Sequence, residues 1–221
     1  MKRFRMSAVV VGLFIAWPQI RAAEPEKNSA GRDNADLIAP PNESPKEMML
    51  RGTRIADRFD LDGYSSLYDV SDCTELEKDL VKASIKYAIE ATRLETALRE
   101  RFGQKAADDF DHAIGEHSEE DVRQADYKIN GDKAALTYPG ETEPALYFIR
   151  INGGWKLDMH SSLKSLTEAD MKQAIKMNDG AAPKAAPLAE KIKKGDFANA
   201  GEAIEAFTKV LESLAPKDSG K

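Results

Sequence analysis

The spacing of hydrophobic and polar residues changes part-way along this chain. Between residues 74 and 103 apolar side chains recur at steps of three and four, whereas between 125 and 160 they alternate with polar ones. The first spacing places apolar groups on one face of an α-helix, and the second is typical of half-buried β-strands. The pattern predicts an α+β fold in which helices precede a curved antiparallel meander sheet.

The long helix has recognisable ends. Thr74 and Glu77 stand at capping-box spacing, and Gly103 follows the last apolar residue. A second apolar strip widens its buried face, which predicts contact on two sides, with a sheet and with a neighbouring helix. A shorter helix is predicted before it, with Ser44 as N-cap and Pro45 as its first residue.

Two Asn-Gly pairs, Asn130-Gly131 and Asn152-Gly153, predict two hairpins in a four-stranded sheet. The third strand, 145–151, is apolar on both alternating sets, which predicts cover on both faces. In the fourth strand the alternation favours Trp155 facing the core and Asp158 facing outward. The other members of these two sets are Leu157 and Met159 on the core side, and Lys156 and His160 on the opposite side.

The chain beyond Ser165 changes in character. We predict a short helix at 166–178, an Ala-, Pro- and Gly-rich linker at 179–187, and a C-terminal helical hairpin at 188–215. Each helix of such a hairpin is too short to be stable alone in water, so we expect the tail to fold back onto the domain. Recruitment of a partner chain by this tail is the alternative.

The N-terminus has the pattern of an export signal. A basic start, an apolar stretch and small residues at Ala22 and Ala23 predict a cleaved signal peptide at 1–22. A disordered linker is predicted at 23–43, and the folded domain at 44–165. We expect a periplasmic or extracellular protein without stable membrane insertion after cleavage.

The charge of the exported chain argues against nucleic-acid binding. Removing residues 1–22 takes away four basic side chains and leaves 28 Lys and Arg against 38 Asp and Glu, a net charge of -10. An acidic domain repels phosphate backbones. The single cysteine, Cys73, cannot form an internal disulfide, so a packed core must supply the stability.

The sequence predicts neither a metal site nor a cofactor. The segment Asp60–Gly63 partly resembles a calcium loop, but Arg58 stands where the first ligand belongs. We predict a turn capped by Asp62 there instead. His112 and His117 are five residues apart, so on a helix their side chains point in different directions. Their acidic surroundings at 104–121 favour a solvated face over a weak metal site.

The chain resembles the nuclear transport factor 2-like superfamily over about residues 45–165. The resemblance is carried by the order of elements, the helix end at 101–103, the turn at 130–134 and the tryptophan-bearing strand at 153–158. It implies a cone in which helices pack into a curved sheet, often with a pocket at the open end. The side chains expected around such a pocket are Tyr87, Tyr127, Phe148 and Trp155.

Two functions remain open at this point. A non-catalytic domain that binds a small apolar ligand or a protein partner is favoured, because no convergent catalytic set is present. The alternative is a small acid–base enzyme of the isomerase or dehydratase kind, with Asp158 and His160 as candidate base and partner. A homodimer, formed through the sheet or the tail, is a third interpretation.

Overall fold

The computed structural model describes residues 39–40, 42–115, 117 and 119–216, with only the backbone of residue 119. The predicted signal peptide and the predicted linker before residue 39 lie outside these residues. The described chain is an α+β fold with one mixed sheet.

Helix α1 (Pro45–Asp57) begins where the sequence predicts. The Glu47 amide donates to the Ser44 hydroxyl, and the Ser44 amide donates to the Glu47 carboxylate. The predicted linker, however, extends one residue too far. Glu43 is buried and accepts two hydrogen bonds from the Arg51 guanidinium, at 2.7 and 2.9 Å. A partner eight residues later gives no local signal, which is why this contact was missed.

Helix α2 (Leu61–Ser65) and strand β1 (Tyr68–Asp69) follow. The cap of α2 is Asp60 and not Asp62, since the Asp60 carboxylate accepts from the Gly63 amide at 2.9 Å. Strand β1 is only two residues long, too short for alternation to be visible in the sequence.

Helix α3 (Glu75–Phe102) confirms both predicted ends, with the Thr74–Glu77 capping box and Gly103 at a φ of 91°. Its first half packs in one hydrophobic cluster, which includes the sheet. Its second half packs in another, made by helices alone. The prediction of contact on two sides is therefore confirmed.

Along the chain, two helices lie between α3 and the long strands of the sheet. Helix α4 (Gln104–Ile114) buries Phe110 against the second cluster and leaves Asp108 and Asp109 exposed. Helix α5 (Glu119–Gln124) leads into the first long strand.

The sheet has the strand order β1-β5-β4-β3-β2. Its long strands are β2 (Asp126–Asn130), β3 (Lys133–Thr137), β4 (Leu146–Ile151) and β5 (Gly154–Asp158). These four pair antiparallel in chain order, but β1 joins β5 in parallel. The sheet is mixed, so the prediction of a purely antiparallel sheet is wrong.

The two predicted hairpins form with different turns. In the second, Asn152 and Gly153 both have positive φ, at 52° and 84°, as a type I′ turn requires. In the first, Asn130 ends strand β2 and the loop is Gly131-Asp132, with only Gly131 at a positive φ of 61°.

The C-terminal part contains helix α6 (Met159–Leu163), helix α7 (Glu168–Lys194) and helix α8 (Ala200–Leu214). The predicted linker at 179–187 is wrong, because these residues lie inside α7 together with Pro183 and Pro187. Both prolines are exposed, whereas Ala181, Ala182 and Ala185 of the same stretch are buried in the second cluster. Packing of the alanine face outweighs the helix-breaking tendency of the prolines.

Helices α3 and α7 run parallel. In the first half of each helix, Ser84 of α3 is hydrogen-bonded to Asn178 of α7. At the other end, Gly195, which ends α7, lies beside the guanidinium of Arg101 at the end of α3. Helix α8 returns over this pair, with Phe207 fully buried near Tyr87 and Phe110. The tail therefore folds back onto the domain, as expected.

Candidate functional site

The structure does not bring the four predicted pocket aromatics together. Phe148 and Trp155 are buried in the first cluster, and Tyr127 packs at its margin with its ring 6.2 Å from that of Phe148. Tyr87 lies in the second cluster, where it stacks on Phe207. The assignment of Tyr87 to a pocket followed from the resemblance, and the sequence pattern gives no signal that α8 covers this side chain.

The inner face of the sheet carries the side chains that the alternation predicts. Trp155 is 2% exposed and Leu157 is fully buried, as is Met159, which follows the strand as the first residue of α6. The Arg150 guanidinium lies 4.7 Å from the Trp155 ring centroid, a cation–π contact between two residues that pair across β4 and β5 next to the turn. The indole Nε1 has no hydrogen-bond partner among the described residues.

Asp158 ends β5 and caps α6. Its carboxylate accepts from the Ser161 amide at 3.0 Å and from the Ser161 hydroxyl at 2.7 Å. An N-cap carboxylate satisfies helix amides that would otherwise lack a partner. This role accounts for the residue without catalysis.

His160 lies on α6 and not on a strand, so it is not paired with Asp158 in the way that the sequence suggested. Its Nδ1 is 3.2 Å from Glu77 Oε1 and 3.3 Å from Glu77 Oε2. Burial raises the pKa of Glu77, but hydrogen bonds from Thr74 and His160 outweigh burial and hold this pKa below its ordinary value. The ring itself is 51% exposed. A carboxylate thus orients an imidazole that is open to solvent, the arrangement of a general base without a surrounding pocket.

Cys73 lies beside this pair but is not activated. Burial raises the pKa of its thiol to about 11, and the carboxylates of Glu77, Asp158 and Asp69 act in the same direction. The reactive form of cysteine is the thiolate. Cys73 is therefore a protonated, buried side chain at neutral pH and not a nucleophile.

The outer face of the sheet is the side opposite Trp155. Strand register places on it the side chains of Ala135, Thr137, Tyr147, Ile149 and Ile151, together with Lys128, Lys133 and Lys156. The five uncharged residues are half-buried, so the predicted cover on both faces of β4 is only partial on this side. Lys164 adds a further cation, with its Nζ 5.1 Å from the Tyr147 ring centroid.

The two remaining histidines lie in different surroundings. His112 is exposed on α4, whereas the ring of His117 stacks on Tyr138 with centroids 3.6 Å apart. Within the described ranges, no three His, Cys, Asp or Glu side chains are placed to hold a metal ion.

The helices of the described part are too short or too polar for any of them to span a bilayer. No protein-family model, curated protein or solved structure matches this chain.

Proposed function

We propose that this chain is an exported, non-catalytic binding domain that holds a protein partner on the outer face of its sheet. The observation that carries the proposal is the apolar row Tyr147, Ile149 and Ile151, which is only half-buried at the centre of the sheet. Charged side chains of both signs flank this row on the same face, with Lys128, Lys133 and Lys156 beside Asp126 and Asp158. Apolar groups with charged neighbours match the apolar core and polar rim of a protein interface.

The resemblance to the nuclear transport factor 2-like superfamily supports the same proposal. In that superfamily a curved sheet and its helices form a cone, and many members are binding or scaffolding modules. Export to the periplasm or the medium is part of the proposal and depends on residues 1–22. N-terminal sequencing of the secreted protein tests it, with a mature chain starting near Ala23 as the expected result.

Site-specific photo-crosslinking tests the binding surface. A photoreactive phenylalanine analogue replaces Ile149 in one variant and Leu61 in a matched control, since Leu61 is an exposed apolar residue on α2, at 47%. The proposal predicts a discrete adduct from position 149 only, and loss of that adduct when Ile151 is changed to Glu. Equal adducts from both positions, or none from 149, would contradict it.

Binding of a small apolar ligand is the second candidate for the binding function. The buried indole Nε1 of Trp155 lacks an acceptor among the described residues, and a mainly apolar ligand that carried one acceptor atom would satisfy it. A buried indole usually finds a hydrogen-bond partner. Native mass spectrometry of the secreted protein would then show a bound small molecule that is lost in Trp155→Phe.

The acid–base enzyme remains the alternative, and the His160–Glu77 pair favours it. The two functions are separated by complementation of a deletion strain. His160→Gln keeps a hydrogen-bonding side chain but cannot carry a proton. Failure of His160→Gln with full activity of Ile149→Glu would favour the enzyme, and the reverse would favour the binding domain.

A further inference from the structure

Strand β2 forms one edge of the sheet. Among the described residues, β3 is the only strand that pairs with it. The side chains of β2 are exposed, except that of Tyr127, which is half-buried. An uncovered edge strand offers its backbone to a strand from another chain.

The backbone direction along β2 follows from the pairing of its neighbour. The Leu136 carbonyl of β3 accepts from the amide of Ala145, just before β4, at 2.9 Å, so the backbone groups of Leu136 point toward β4. Those of the residue before it point toward β2, where its partner is Lys128. Since the direction alternates along a strand, the amides and carbonyls of Tyr127 and Ile129 point away from β3, at the edge of the sheet.

The side chains of β2 add one apolar group and one charge of each sign to this edge. Ile129 shares the inner face with Ala134, its partner on β3, yet Ile129 is 55% exposed and Ala134 is 5% exposed. Asp126 and Lys128 lie on the outer face, with their side chains 64% and 80% exposed. Their charged groups are 3.8 Å apart, and both remain accessible to another chain.

We propose that a second copy of this chain occupies the edge, with the two β2 strands antiparallel about a two-fold axis beside Tyr127. In this register the two Tyr127 residues form a hydrogen-bonded pair, and Asp126 of each copy lies opposite Lys128 of the other. Ile129 lies opposite Ala125, which precedes the strand. The two five-stranded sheets then form one continuous sheet.

Charge selects this register and this occupant. An axis beside Lys128 would place two ammonium groups opposite each other, which destabilises a pair of strands, and an axis beside Ile129 would place Lys128 opposite Asn130. Lysine on an edge strand commonly opposes pairing, but in the proposed register each Lys128 meets a carboxylate. A second copy carries the complementary charges by symmetry, whereas an unrelated chain would need to supply them separately.

The dimer is independent of the function proposed above. It uses the edge of the sheet and leaves the apolar row Tyr147, Ile149 and Ile151 at the centre of the outer face available to a partner. Either proposal can therefore fail without the other.

Sedimentation velocity of the purified chain over a range of concentrations tests the dimer. Asp126→Lys and Lys128→Asp each turn two attractive pairs into repulsive ones, so each variant alone should dimerise about tenfold more weakly or worse. An equal mixture of the two variants restores opposite charges across the axis, and mixed dimers of wild-type affinity are expected. Lys172→Asp is the matched control, since it reverses an exposed lysine on α7 and should dimerise as wild type does. Ile149→Glu should also retain the dimer.

Amide hydrogen exchange by NMR locates the contact in the unaltered chain. The amides of Tyr127 and Ile129 should gain protection as the protein concentration rises, whereas those of Asp126 and Lys128, which point toward β3, should be protected at every concentration. A chain that stays monomeric at its highest soluble concentration, variants that do not form mixed dimers, or a dimer lost in Ile149→Glu would overturn the proposal. Protection of Tyr127 and Ile129 that does not depend on concentration would also overturn it, because another segment of the same chain would then occupy the edge.

Discussion

The Asn178 side-chain amide donates a 3.0 Å hydrogen bond to the Ser84 hydroxyl across the interface of the two longest helices. Both residues are buried, at 1% and 5% exposure. The packed faces around them are rich in alanine, which allows many sliding positions of nearly equal fit. The hydrogen bond forms only when Ser84 and Asn178 lie side by side, so it favours the observed register between α3 and α7.

Removing the acceptor of this hydrogen bond should be destabilising. Ser84→Ala leaves a buried amide donor unsatisfied, and we expect the free energy of unfolding to fall by about 1–3 kcal/mol. Replacing both partners, in Ser84→Ala with Asn178→Leu, removes the unsatisfied group and should recover much of the loss. Urea unfolding of the two single variants and the double variant measures this; equal stability of wild type and Ser84→Ala would contradict it.

Asp158 should behave as a helix cap. Asp158→Ala is expected to lower the unfolding free energy by about 1 kcal/mol, because the Ser161 amide loses its acceptor. Asp158→Asn retains an acceptor oxygen and should be close to wild type. A large difference in biological activity between wild type and Asp158→Asn, at equal stability, would instead indicate a catalytic carboxylate.

Glu77 should stabilise the fold at neutral pH and lose this contribution in acid. Its pKa is lowered in the folded state, so its contribution is present above its unfolded pKa of 4.5 and is lost as pH falls below that value. In thermal melts between pH 3 and 6, Glu77→Gln should show a weaker loss of stability on acidification than wild type. Identical pH profiles would show that its hydrogen bonds do not favour the ionised form.

The prolines of α7 should weaken that helix. Each lacks the amide that would close a helical turn, and both side chains face solvent. Pro183→Ala and Pro187→Ala should each raise the unfolding free energy, by about 1–3 kcal/mol. Lys184→Ala, between them on the exposed side, is a control that changes no backbone hydrogen bond. If Pro→Ala lowered stability, the prolines would be serving the packing of α7.

The features predicted correctly from sequence are those whose cause is local. The caps at Ser44 and Thr74 need only residues three apart, and the burial of Trp155 follows from a period of two within one strand. Failures occur where a distant partner decides. Residues 179–187 have the composition of a linker, but their alanines are held in a helix by α3, which lies far away in the chain.

The candidate sites divide in the same way. The outward orientation of Asp158 was predictable, whereas its capping role required the strand to end there and α6 to begin. The contact between His160 and Glu77 joins residues 83 positions apart, and no local pattern indicates it.

The parallel course of α3 and α7 has a consequence for how this chain matures. The second half of α3 precedes α7 and α8 in the chain, so it stays uncovered until residues 168–214 have been made. Limited proteolysis of a chain stopped at residue 165 should cut within residues 88–102 and spare the sheet. A product that stops before residue 168 would therefore expose leucines and alanines of α3 that α7 and α8 normally bury, which makes it a substrate for proteases.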